Sequence, residues 1–226
     1  MSNSTGAHLQ RGVIVEFDFA VLAGHDFLMD ICRKRLDQEG VKFDAGMAAR
    51  FMGGKSFSSG LNALCNKLQK TLDVPAVIAD CNEQFAESVK GALGRMAPGF
   101  TDFVNALVSK NLKVVILTRS DVEAVKALFS NLPPEKVVVL HDAANSFGYC
   151  SWDGWRRAAR KCDLHERLCV AVAGSGFSVK GALNAGMGVI VKDNAVTEYQ
   201  DVSGCDVRIT DFAAKLTDEV VRILRV

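Results

Sequence analysis

Strand-length apolar stretches recur along the chain at residues 13–21, 113–117, 136–140, 168–173 and 189–192, with a shorter one at 207–209. The first is interrupted only by Glu16 and Asp18. Stretches of this length without polar alternation predict strands buried on both faces, as in a parallel sheet. Between them the apolar spacing becomes helical, over 100–110, 121–130, 152–162, 178–185 and 217–224. Strands alternating with helices predict βαβ units. One interval breaks the alternation. Residues 24–93 carry no strand signal but four helical patterns, at 27–39, 45–51, 59–72 and 74–93. Gly40 is placed to end the first, and Asp73 to cap the last, with Pro75 in its first turn. Leu61, Leu64, Leu68 and Leu72 form one apolar stripe. The expected fold is α/β: a Rossmann-like three-layer parallel sheet from residues 11–23 and 94–226, a helical cap inserted over 24–93, and a flexible N-terminus over 1–10.

Composition narrows the function classes. The 226 residues are 49% apolar and 23% charged, enough for a sizeable core, and the net charge of +1 gives no pointer to nucleic acid. The basic cluster Arg156, Arg157, Arg160 and Lys161 reads as the solvated face of a helix. Seven cysteines without CxxC spacing predict reduced thiols, no zinc site and a cytoplasmic setting. No signal-peptide pattern and no apolar run of membrane-spanning length are visible, so no membrane partner is expected.

Candidate chemistry gathers at the predicted strand ends, where open α/β sheets bind ligands. Glu16 and Asp18 are two residues apart, which in a continuing strand puts both on one side. Paired acids there point to metal-assisted phosphoryl chemistry. Thr118 ends the second strand, and Thr118-Arg119-Ser120 opens a helix and brings a guanidinium, a candidate anion site. Gly174-Ser175-Gly176 also opens a helix and reads as a tight turn. His25 and Asp26 read as surface loop, Lys55 as an exposed loop residue after Gly53-Gly54, and Trp152 and Trp155 as packing a helix on the sheet.

In this order the landmarks resemble the haloacid dehalogenase (HAD) superfamily, in particular its phosphatase and β-phosphoglucomutase-like branch with a helical cap. Val13-Ile14-Val15-Glu16-Phe17-Asp18-Phe19-Ala20 stands where that family has hhhhDxDG(T/V). Gln38-Glu39-Gly40, Gly53-Gly54, Pro98-Gly99, Thr118 and Ala185-Gly186-Met187 match further landmarks, with ungapped spacing over 143–155 and 173–187. The resemblance implies a nucleophile position at Glu16, an acid/base position at Asp18, and phosphate contacts from Thr118, with Arg119 and Lys55 as further substrate-binding candidates. It also marks departures. Glu16 is an Asp in the family, Tyr149 takes the place of its Lys, and Ala173 and Gly174 take the places of the acids that complete Mg²⁺ binding. The resemblance with these departures implies a catalytically inactive or severely impaired phosphatase homologue, without a metal site, retained for ligand binding, regulation or scaffolding. A small phosphorylated ligand or a protein partner would then be its partner, and Mg²⁺ its cofactor only if it is an enzyme. The alternative is an active but atypical phosphomonoester or phosphonate hydrolase. It would use Asp18 with Lys55, in a register resembling the DxA motif of phosphonoacetaldehyde hydrolase. The pseudoenzyme reading carries two expectations for the cleft: an apolar or aromatic side chain filling its mouth, and a closed polar cluster in which Thr118 and Tyr149 bond the acids. Repulsion between the carboxylates should raise the pKa of one of them.

Overall fold

A computed structural model describes residues 10–142, 146–194 and 196–225. The expected flexible N-terminus lies, but for residue 10, outside the described residues, as does Ala143 at the start of one aligned stretch. Six parallel strands form one sheet in the order β3-β2-β1-β4-β5-β6. They are β1 (Gly12–Glu16), β2 (Lys113–Thr118), β3 (Val137–His141), β4 (Cys169–Ala173), β5 (Gly188–Lys192) and β6 (Val207–Ile209). β1 is wholly buried, with Glu16 opposite Leu117 of β2 and Val15 opposite Val172 of β4. Alternation along β1 feeds two apolar layers. Val13 and Val15 join one with Phe100 and Leu107, while Ile14 joins the other with Trp155 and Ala171. The strand order reverses at β1 and β4, and in doubly wound sheets the crevice beyond that reversal receives ligands.

The helices between β1 and β2 are α1 (Phe17–Ala20), α2 (Gly24–Gln38), α3 (Ala45–Met47), α4 (Phe57–Leu68) and α5 (Val74–Ala92). Their starts follow the local chemistry: side chains of Asp44, Ser56 and Asp73 accept from the amides of Met47, Ser59 and Ala76. The helix expected over 59–72 begins at Phe57 because Ser56 caps it, and stops at Leu68 because Gln69 turns left-handed at φ 52°. The helix expected over 45–51 runs from α3 into a π-helical turn, Ala48–Met52. After α5 come α6 (Phe100–Ser109), α7 (Val122–Ala127), α8 (Trp152–Lys161), α9 (Gly176–Asn184) and α10 (Leu216–Leu224). One apolar cluster runs unbroken from Leu28, Leu61 and Phe85 into Phe17 and Phe100 against the sheet. No helix among the described residues is long and apolar enough to cross a membrane.

Candidate active site

β1 stops at Glu16, and the chain turns at once into α1, so the strand expected over 13–21 ends early. Asp18 therefore leaves the pleat, and the expectation of two acids sharing one side of a strand is corrected. The carboxylates part toward opposite neighbours. Glu16 Oε2 accepts from the Gly174 amide at 2.9 Å and Oε1 from the Ser178 hydroxyl at 2.9 Å, both beyond β4. Asp18 accepts from Thr118 Oγ1 at 2.8 Å and from the Arg119 amide at 2.7 Å, at the end of β2. Ser178 is set for this task. Its oxygen accepts from the Cys150 amide and the Ser175 hydroxyl, each at 3.0 Å, which leaves its own proton for Glu16.

Arg119 brings the two halves together. Its Nε lies 3.2 Å from Asp142 Oδ2, with both side chains 11% exposed. Its terminal nitrogens donate to the Ser146 carbonyl at 2.9 Å, the Ser146 hydroxyl at 3.0 Å and the Tyr149 carbonyl at 3.3 Å. The guanidinium carbon stands 5.0 Å from the centre of the Phe19 ring. Phe19 also stacks on Phe85 of α5 at 5.4 Å and meets His25 of α2 at 4.7 Å. The Phe19 ring thus packs between the Arg119 guanidinium and rings of two inserted helices. Further ties join the two sides: His25 Nε2 lies 2.7 Å from the Gly148 carbonyl, Ser120 Oγ donates to the Ala86 carbonyl, and Ser56 bridges Ser146.

Several sequence expectations need correction. Among the described residues the carboxylates are bonded by Thr118, Ser178 and two backbone amides, whereas the Tyr149 ring packs on Phe177 at 5.8 Å. His25 is buried rather than in a surface loop, because its ring completes the Phe19 stack. Of the two tryptophans, Trp155 is buried and donates to the Ser178 carbonyl, but Trp152 is half exposed under Arg156. Lys55 is exposed, next to the Ser56–Ser146 bridge, while Gly53 and Gly54 lie against Phe177. Glu16, Asp18, Thr118, Arg119 and Gly174 are brought together, and Ala173 is buried at the end of β4. Three residues that shape the site were not singled out: Ser178, Asp142 and Phe19. Phe19 was legible, since it stands where the family motif has glycine.

Both acids have raised pKa values, Glu16 to about 8 and Asp18 to about 6, with burial as the largest cause. The expected mutual repulsion of the pair is not that cause, and the shift falls on both. Hydrogen bonds and the Arg119 charge act against it, and Asp142 adds to it. Burial lowers His25 to about 4. These shifts fix the signs of the pH dependence. A carboxyl raised in the folded state stabilises fully below its unfolded pKa, and that contribution is lost as pH rises through the folded value. His25 contributes above 6.5 and loses its contribution as pH falls toward 4. Below pH 6.5 the contributions oppose; above it Glu16 dominates. Stability should therefore fall by about 2 kcal/mol between pH 6.5 and 8. Glu16→Gln should flatten that decline. Urea melts across this range read it directly, and an equally steep decline in the variant would contradict the assignment to Glu16.

No family model matches the sequence, and no curated protein matches it. Solved structures do match. A HAD hydrolase of family IA, variant 3, from Entamoeba histolytica is 15% identical, with a TM-score of 0.72 over 96% of this chain and 100% of that one. β-Phosphoglucomutase from Clostridium difficile is 12% identical, with a TM-score of 0.70 over 96% and 100%. CbbY from Rhodobacter sphaeroides, solved with phosphate, is 16% identical, with a TM-score of 0.68 over 92% and 96%. The fold is that of HAD phosphatases and β-phosphoglucomutases, along essentially their whole length.

The resemblance implies Mg²⁺, and the residues present do not fit it. Mg²⁺ needs near-octahedral oxygen ligands. Ala173 and Gly174 offer no side-chain oxygen. All four carboxylate oxygens of Glu16 and Asp18 already accept internal hydrogen bonds. Nor is there room for the family's acid at Gly174: a Cβ there would lie 2.6 Å from the Phe19 carbonyl carbon, 2.7 Å from its oxygen and 2.9 Å from the Ala20 nitrogen.

Proposed function

We propose that this chain is a HAD-fold protein whose phosphoryl-transfer chemistry is lost or severely impaired, and that it acts by binding or regulation. The observation that carries the reading is the closed state of the site. Glu16 and Asp18 are 2% and 1% exposed, and their oxygens are satisfied from within the chain. An attacking carboxylate must be ionised and within reach of phosphorus, and Glu16, with a pKa of about 8, is largely protonated at neutral pH. The charge of Arg119 acts on both acids, and four of its hydrogen bonds go to Asp142, Ser146 and Tyr149. A phosphate dianion would have to displace these contacts as well as the Phe19 stack. The alternative hydrolase reading needs Asp18 and Lys55 to act on one substrate, whereas Lys55 is exposed and Asp18 is buried.

The test is turnover over a panel of phosphorylated metabolites and one phosphonate, with and without Mg²⁺, alongside a calorimetric Mg²⁺ titration. No turnover and no micromolar Mg²⁺ binding are expected. Metal-dependent turnover that vanishes in Asp18→Asn would replace this reading with the hydrolase. Restoring the family residue by Glu16→Asp should not create activity, because nucleophile, lysine and metal ligands act as a unit. It should cost about 1–3 kcal/mol in a melt, since the shortened carboxylate leaves Gly174 and Ser178. Clear Mg²⁺-dependent turnover by Glu16→Asp alone would show that the other departures matter less.

A further inference from the structure

A pocket of about 400 Å³ opens where the chain crosses between the sheet and the inserted helices, beside the turn that carries Asp18. Its walls come from both crossings, 19–23 and 92–98, and from the segment after β5. The crossings are tied by a hydrogen bond from the Ala97 amide to the Val21 carbonyl at 3.0 Å. The floor is apolar, and Phe27, Met96 and Ala97 are only partly buried there, so they keep apolar surface in contact with water. Covering such surface is favourable at about 25 cal/mol per Å².

The rim has a definite charge. Arg95 and Lys192 line it, and among the described residues neither is in an ion pair. The Lys192 ammonium is steadied by the Asp193 carbonyl at 3.0 Å. Asp193 supplies the carboxylate of the lining, and Arg208 neutralises it at 2.6 Å. The lining therefore keeps two uncompensated positive charges beside an apolar floor. We infer that this pocket binds a small amphipathic anion, an apolar chain or ring carrying one acidic head group. The head group meets Arg95 and Lys192, and the body covers Phe27, Met96 and Ala97. A cavity of this size is within the range that holds small ligands. The pocket also has a route to the closed site: Asn194 donates to the Gly174 carbonyl at 2.7 Å, and the Gly174 amide holds Glu16. The inference stands on this geometry and does not depend on whether the carboxylates catalyse anything.

Titration calorimetry with octanoate tests it, with acetate and octylamine as the other arms. Saturable one-site binding of octanoate below millimolar concentration is expected, at least tenfold tighter than acetate, with none for octylamine. The double variant Arg95→Gln, Lys192→Gln should weaken octanoate at least tenfold, and Ala97→Phe should abolish its binding by filling the floor. Melting curves identify any variant that has lost its fold, and chemical-shift changes confined to residues 19–27, 92–98 and 192–194 locate the ligand without one. No saturable binding, equal binding of octylamine, or undiminished binding by the folded double variant would overturn the inference. Phosphatase turnover has no bearing on these readings, so failure here is distinct from failure of the pseudoenzyme reading.

Discussion

Adding a single methyl group at Gly174 should cost this protein about 3 kcal/mol, and adding the family's aspartate there should cost more. The new Cβ has no flexible neighbour to push aside. The atoms it meets at 2.6–2.9 Å are backbone of Phe19 and Ala20, in the turn that carries Asp18. Relief requires α1 to move, and Asp18 then leaves Thr118 and the Arg119 amide. Gly174→Asp adds a third carboxylate to a buried region where two already have raised pKa values. For a chain of this length, 3 kcal/mol lowers the melting temperature by roughly 6–12 °C. Scanning calorimetry of Gly174→Ala and Gly174→Asp measures it. A Gly174→Ala variant as stable as the parent would mean that the turn over Gly174 yields freely, and the argument that backbone leaves no room for a side chain there would fail.

Arg119→Met should cost about 3–5 kcal/mol, because it removes one partner of a largely buried charge pair together with the donors to Ser146 and Tyr149. The loss is larger than an isolated ion pair suggests. The same guanidinium satisfies the carbonyls of Ser146 and Tyr149, covers the Phe19 ring and offsets the charge on Asp18. Arg119→Lys should recover less than half, since an ammonium cannot span Asp142, Ser146 and Tyr149 with one planar fork. Urea midpoints for the two variants decide the matter. A loss below about 1 kcal/mol in Arg119→Met would place the arginine among solvated surface pairs, which contribute little.

The strands and their order of appearance were legible because apolar stretches of strand length have few other uses in a chain of this composition. The long helices were legible for the same reason, and their ends shifted by a few residues wherever a cap such as Ser56 or a left-handed residue such as Gln69 decided the boundary. The acids at the end of β1 were also visible, as was the absence of acids at Ala173 and Gly174. Their geometry was not. Alternation extrapolated the strand through Asp18, whereas tertiary packing turned the chain at Phe17. The partners of Glu16 lie 158 and 162 residues away, beyond the reach of any local pattern. Arg119 was recognised as an anion binder, but its anions belong to the chain itself, Asp142 through the guanidinium and Asp18 through the amide. Tyr149 shows the opposite error: a phenol was expected to serve by its hydroxyl, and it serves by its carbonyl.

The stack of His25, Phe19 and Phe85 has a consequence for how the molecule opens. It takes one ring from α1, one from α2 and one from α5, and so spans both crossings of the chain. A helical insert held only by its crossings could fray or swing as a separate cooperative unit, with its own opening free energy. Here opening would pull the His25 and Phe85 rings off Phe19 and break the bonds of His25 to Gly148 and of Ser120 to Ala86, which adds to the cost of partial opening. The insert and the sheet should then unfold in one cooperative transition, with their slowest amides exchanging with solvent through the same event.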